Sequence, residues 1–152
     1  LWVVRAELVA PGQAPSGDFD LAMVRVPNGA DGDLTDALIE AAETEGVRAI
    51  VGCSGRLIPE RDGASVDADR LAAALAKSNT LWVIDARLER LDPSASDLRR
   101  ARDAGVTFAI ASVDCGQPTT ALANGALHCQ RGWVARDSLA NLWSVEEVKA
   151  WL

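Results

Sequence analysis

"TLWVIDARLERLDPSASDLRRARDAGVTFAIAS", residues 80–112, decides the fold. TLWVIDA (80–86) is a short run, unbroken in its apolar residues from Leu81 to Ile84, as expected of a strand covered on both faces. A turn-rich stretch, RLERLDPSASD (87–97), leads into a segment where Leu98, Ala101 and Ala104 recur at helical spacing. Gly105 closes that helix, because glycine readily takes the left-handed conformation beyond a helix end. VTFAIAS (106–112) is a second apolar strand. A strand, a helix and another buried strand form a parallel unit, since parallel neighbours need a long crossover.

The same unit repeats upstream. LWVVRAELV (1–9) alternates with a period of two and reads as a strand, followed by the Gly/Pro-rich turn APGQAPSGD (10–18). DLAMVRV (20–26) is the next strand. Asp33 is the expected N-cap of a helix over 33–45, carried by Leu34, Leu38 and Ala41 and stopped by Gly46. VRAIVGC (47–53) is a short buried strand, and Asp67 caps a helix with Leu71, Ala74 and Leu75 on its apolar face. Strands are therefore expected near 2–8, 20–26, 47–52, 81–86 and 107–112, in a parallel sheet or open barrel. After Gly116 the pattern loosens. PTTALANG (118–125) reads as a short helical turn, ALHC (126–129) as one more strand, and Ser144 with Glu147 as the capping box of a final helix.

Composition sets outer limits. The 152 residues, 49% hydrophobic and 24% charged, suit one globular domain with a real core. Net charge is −7, with 13 arginines among the 15 basic residues, which argues against this segment gripping a phosphate backbone alone but leaves room for a local arginine patch. Cys53, Cys115 and Cys129 form no CxxC pair, so neither a zinc ribbon nor a disulfide framework is signalled, and a reducing cytoplasmic setting is expected. No run of about 18 apolar residues suggests a membrane span. The chain starts at Leu1 inside a strand-like stretch, as a piece of something longer would.

The motifs VVRAEL, FDLAMVRVPN, VGCSGRL, VIDARLERLD, GVTFAIASVDC and RGWVARDSLANLWSVEEVKAWL together carry a family resemblance. Residues 1–152 resemble the later portion of a polymerase-and-histidinol-phosphatase (PHP) domain, closest to the form at the C-terminus of bacterial family X DNA polymerases. The family's His-x-His opening strand is absent from this chain. The resemblance implies an α/β fold, the later part of a distorted (β/α)₇ TIM-like barrel, with divalent metals at the carboxyl ends of the strands.

It also implies metal-assisted phosphoester hydrolysis. Here the ligand positions are altered. The family's ligand glutamate falls on Arg5, the Ser-Val-His histidine on Pro27, and the Gly-His-Pro histidine on Cys53. The Asp-Ala-His pair falls on Val113 and Cys115, and a further glutamate on Val83. Moving Asp114 one place to substitute for the lost aspartate would aim it at the opposite strand face. Cys53 and Cys115 with His128 or Asp114 could hold zinc; alternatively both thiols fill space left by imidazoles. Arg56, within the matched Gly-Arg-Leu, could contact a phosphate or hold a loop. His128, the only histidine, reads as a structural side chain. Trp133, Trp143 and Trp151 are expected to lock the tail onto the barrel; base stacking, the alternative, needs basic neighbours.

The resemblance thus implies a catalytically degenerate domain of a DNA-repair polymerase. Nucleotidyl transfer would reside elsewhere in the same chain, the other polymerase domains would be its partners, DNA would be met through the parent protein, and no cofactor would be expected. Two alternatives stay open: an active 3′–5′ exonuclease or phosphatase using Mn²⁺ or Zn²⁺, and a free-standing scaffold or regulatory protein.

Overall fold

The computed structural model describes residues 6–111 and 118–152. Five strands, β1 (Ala6–Val9), β2 (Leu21–Arg25), β3 (Val47–Val51), β4 (Leu81–Asp85) and β5 (Phe108–Ala111), form one sheet in chain order. Every neighbouring pair is parallel. Helices α1 (Thr35–Glu43), α2 (Ala68–Ser78) and α3 (Ala95–Asp103) connect β2 through β5, and α4 (Pro118–Arg131) comes after β5. Two short 3₁₀ turns, Arg136–Ser138 and Ala140–Leu142, lead to α5 (Val145–Trp151). The expected strands match to within a residue or two; the part of the first expected strand before Ala6 lies outside the described residues. No described helix is long and apolar enough to cross a membrane.

The central strands are mostly apolar because both of their faces are covered. Val24, Ile50, Trp82, Ile84 and Phe108 pack with Leu38, Leu71, Leu75 and Leu98 from α1, α2 and α3. Leu21, Ala49, Val51, Leu81 and Val83 face the other way and pack with Trp151 of α5. Each fully buried large side chain contributes about 1.5–3 kcal/mol relative to leaving it in water.

Capping follows local chemistry. Asp67 accepts the amides of Asp69 and Arg70, both at 3.1 Å, and Asn79 ends α2 in the left-handed region at φ 56°. Capping boxes start α3 (Ser94 with Asp97) and α5 (Ser144 with Glu147). At α1 the expected cap is displaced by one residue. Leu34 takes the N-cap position, while Asp33 accepts the Thr35 amide at 2.9 Å and its hydroxyl at 2.6 Å.

The tail differs more. His128 and Cys129 lie in α4, a 14-residue helix, so ALHC is not a strand. The four-residue apolar window hid a helical face on which Ala121, His128 and Cys129 are buried while Leu122 and Leu127 are exposed. Trp143 and Trp151 pack together with ring centroids 5.8 Å apart, as expected of a tail lock. Trp133 does not join them: it is 63% exposed.

Candidate functional site

In a parallel sheet all strands end at one rim, and the loops that leave it meet there. Arg25 pairs in register with Val51, and Val51 with Val83, so the β2, β3 and β4 ends are level. Beyond them come Pro27 and Asn28 after β2, the Gly52–Arg56 turn after β3, and the Arg87–Asp92 loop after β4.

Asp92 organises this rim. Its buried carboxylate accepts the backbone amides of Cys53, Ser54 and Gly55 at 3.0, 2.9 and 3.1 Å. The Cys53 thiol and the Ser54 hydroxyl donate to its other oxygen at 3.3 and 3.2 Å. Gly52 makes room: it sits at φ 63°, and a Cβ there would lie 2.8 Å from the Asp92 carboxylate. The Gly52 carbonyl accepts the Trp82 indole N–H at 3.0 Å, which ties the turn to the core. A carboxylate that accepts this many donors is fixed in place and electrostatically compensated.

The arginines are committed in the same way. Arg56 donates from Nε to the Arg90 carbonyl at 2.7 Å and from Nη2 to the Leu91 carbonyl. Arg90, buried, returns bonds from Nη1 to the carbonyls of Gly55 and Arg56 at 3.0 and 2.6 Å. Leu91, at φ 44°, occupies a conformation that non-glycine residues rarely take, held from both sides by these contacts. Buried Asp85 is clamped in bidentate fashion by Arg87, with Nε donating at 2.9 Å. Asp85 also donates its amide to the Asp92 carbonyl at 2.9 Å.

Two of the expected site positions meet here. Pro27 lines an open cleft of about 550 Å³ with Leu8, Val9, Arg25, Asn28 and Arg87. The Pro27 carbonyl abuts the Cys53 turn so closely that a Cβ on Gly55 would come within 2.5 Å of it. Cys53 is buried, and burial together with the neighbouring Asp92 charge pushes its thiol pKa well above the ordinary range. Val83 is buried on the sheet face that carries Val51 and Trp151. Arg56 holds the Arg90–Leu91 backbone through the bonds above. His128, on α4, is buried with Nε2 2.8 Å from the Pro93 carbonyl, which accepts the Nε2 proton. Arg5, Val113, Asp114 and Cys115 lie outside the described residues. Among the described residues no three His, Cys, Asp or Glu side chains are grouped to hold a metal ion.

The sequence reading missed Asp92, Asp85 and Arg90 as organisers of the rim. The signal was partly present, because Arg90-Leu91-Asp92 lies in a matched motif, but nothing local says that an aspartate will collect three amides from a turn 37 to 39 residues away.

No protein-family model matches the chain. Over 101 residues, 65% of its length, it is 31% identical to the DNA polymerase/3′-5′ exonuclease PolX of Bacillus subtilis (strain 168). The chain spans 18% of that protein, so the likeness concerns one section of it. The chain is thus an α/β unit distantly related to a part of PolX.

Proposed function

We propose that this chain is a PHP-like module in which a metal-dependent phosphoesterase site has given way to a structural network. In this reading the five-stranded sheet is the later part of a distorted (β/α)₇ barrel. The module acts as a structural or interaction domain of a cytoplasmic, family X-type repair polymerase, whose nucleotidyl transfer resides in other domains of the same chain. The strands' chain-order parallel arrangement and the similarity to PolX support that setting.

One observation carries the loss of chemistry. Where the family would place imidazole ligands, the rim presents Pro27, which has no donor atom, and Cys53, whose buried thiol donates to Asp92. The nearby carboxylates are committed, Asp92 to amides and Asp85 to Arg87. Water activation needs several ligands converging within about 2.0–2.6 Å of each metal. These residues do not fit the family's cluster of divalent metals. A thiol must lose its proton to bind zinc, and burial beside Asp92 opposes that.

The test is to load the chain with manganese or zinc, remove excess by gel filtration, quantify bound metal and assay 3′–5′ hydrolysis of single-stranded DNA. Substoichiometric metal and no hydrolysis are expected. Stoichiometric metal with nuclease activity that Cys53→Ala abolishes would establish an active hydrolase instead.

A further inference from the structure

Trp133 is the most exposed large hydrophobic side chain among the described residues, and it lies under two arginines. The Arg99 and Arg102 guanidinium carbons lie 5.2 and 5.6 Å from its ring centroid. The backbone sets up this arrangement. Gly132 packs so closely on α3 that a Cβ there would lie 2.5 Å from the Leu98 Cβ. Trp133, at φ 56°, then turns its ring outward over the next turn of α3. Arg131 and Arg136, both exposed, flank it in sequence.

The missing ingredient for base stacking was basic neighbours, and the fold supplies them from a helix more than 30 positions away in sequence. Among the described residues, Arg99, Arg131 and Arg136 form no ion pair, whereas Arg102 is paired with Asp103. The overall charge of −7 does not cancel this patch. At physiological salt, exposed charges farther apart than about 8 Å are largely screened from one another.

The patch shares no residue with the rim network: its ring contacts come from α3 and from the residue after Gly132, whereas the rim is held by Asp92, Arg56 and Arg90. The bridge between Phe108, at the start of β5, and Leu139 anchors the segment that follows.

We propose that Trp133 with Arg99 and Arg102, joined by Arg131 and Arg136 beside it in the sequence, forms a binding surface for single-stranded nucleic acid. One base stacks on the exposed indole and the guanidinium groups meet flanking phosphates. Stacking of a base on an aromatic side chain is stronger than an exposed cation–π contact, so an incoming base can displace a guanidinium from the ring. The released arginine then stands beside the adjoining phosphate. A duplex cannot use this surface in the same way, because its bases are already stacked on one another.

The experiment titrates the 152-residue chain into a labelled oligothymidylate and follows both anisotropy and tryptophan emission. Binding with quenched emission is expected, and a hairpin duplex should bind more weakly. Trp133→Ala should weaken binding about tenfold and Trp133→Phe less, with the quench lost in both. Arg99→Ala with Arg102→Ala should weaken binding severalfold and flatten its salt dependence. Thermal melting of each variant separates these effects from unfolding. The proposal fails if a folded Trp133→Ala variant binds as tightly as the parent, or if inorganic polyphosphate competes as well as the oligonucleotide. It also fails if the oligonucleotide does not bind at all.

Discussion

The Asp92 carboxylate accepts the Cys53 amide at 3.0 Å and the Cys53 thiol at 3.3 Å, binding the β4 loop to the turn after β3. Asp92→Ala removes the acceptor for three backbone amides and leaves donors buried without partners. The expected loss is about 3–5 kcal/mol, with the urea midpoint lowered and the m-value unchanged. Asp92→Asn keeps the shape but turns an amide group toward donors, so a smaller loss of about 1–3 kcal/mol is expected. Equal stability of Asp92→Ala and the parent would show that the hub contributes nothing to folding.

Cys53 should be chemically silent in the folded chain. Its thiol is buried and its pKa is raised well above the ordinary range, first by desolvation and then by the Asp92 charge. The reactive species is the thiolate, which is scarce here at neutral pH. Peptide mapping after brief treatment with a thiol reagent at neutral pH should find Cys53 unmodified, then modified once urea unfolds the chain. Rapid labelling of Cys53 in the native chain would contradict the buried, hydrogen-bonded thiol.

The fold was legible where one physical signal dominated. Continuous apolar runs such as 81–84 are the mark of a strand with both sheet faces covered, and glycines 46 and 105 mark where helices must stop. The tail was not legible in the same way. His128 and Cys129 sit in a window too short to separate a period of 3.6 from a period of 2, and only the 14-residue length of α4 settles it. At the rim, Pro27 and Cys53 could be found through the resemblance, because each stands in a matched motif. Asp92 and Trp133 could not be assigned their surroundings, since these come from Cys53–Gly55 and from Arg99 and Arg102, brought near only by the crossovers.

Trp151 should be the main anchor of the tail. It is 9% exposed, packs on the sheet face with Val51 and Val83, and donates its indole N–H to the Asn79 carbonyl at 3.0 Å. Arg48 adds a bond from Nη2 to the Leu152 carbonyl at 2.9 Å. Trp151→Ala is expected to cost about 3–5 kcal/mol, and hydrogen exchange should show α5 losing protection before the sheet does. Trp143→Ala, which removes only the tilted ring partner, should cost less.

His128 should govern how stability changes between about pH 5 and pH 7. It is the only histidine in the chain, so no other imidazole titrates there. Its Nε2 proton is donated to the Pro93 carbonyl, which leaves Nδ1 unprotonated and buried without a partner. Protonation would place a charged N–H in that unpartnered position. Burial is the main reason that its pKa lies below the ordinary 6.5, and the positive charges of Arg56 and Arg131 act in the same direction. The Pro93 bond and the Asp92 charge oppose the shift without reversing it. The folded state therefore binds the proton less readily than the unfolded state. Stability is fully present above the unfolded value of about 6.5, falls as pH drops below it, and levels off once pH passes the lower folded value. Asp33 and Glu147 cannot mimic this slope, because their hydrogen bonds depress their pKa values from 3.8 and 4.5, below the window. Urea melts from about pH 7.5 to 5 should show the parent losing stability as pH falls and His128→Gln losing less. A variant that is uniformly weaker but retains the full slope would rule out His128 as its source.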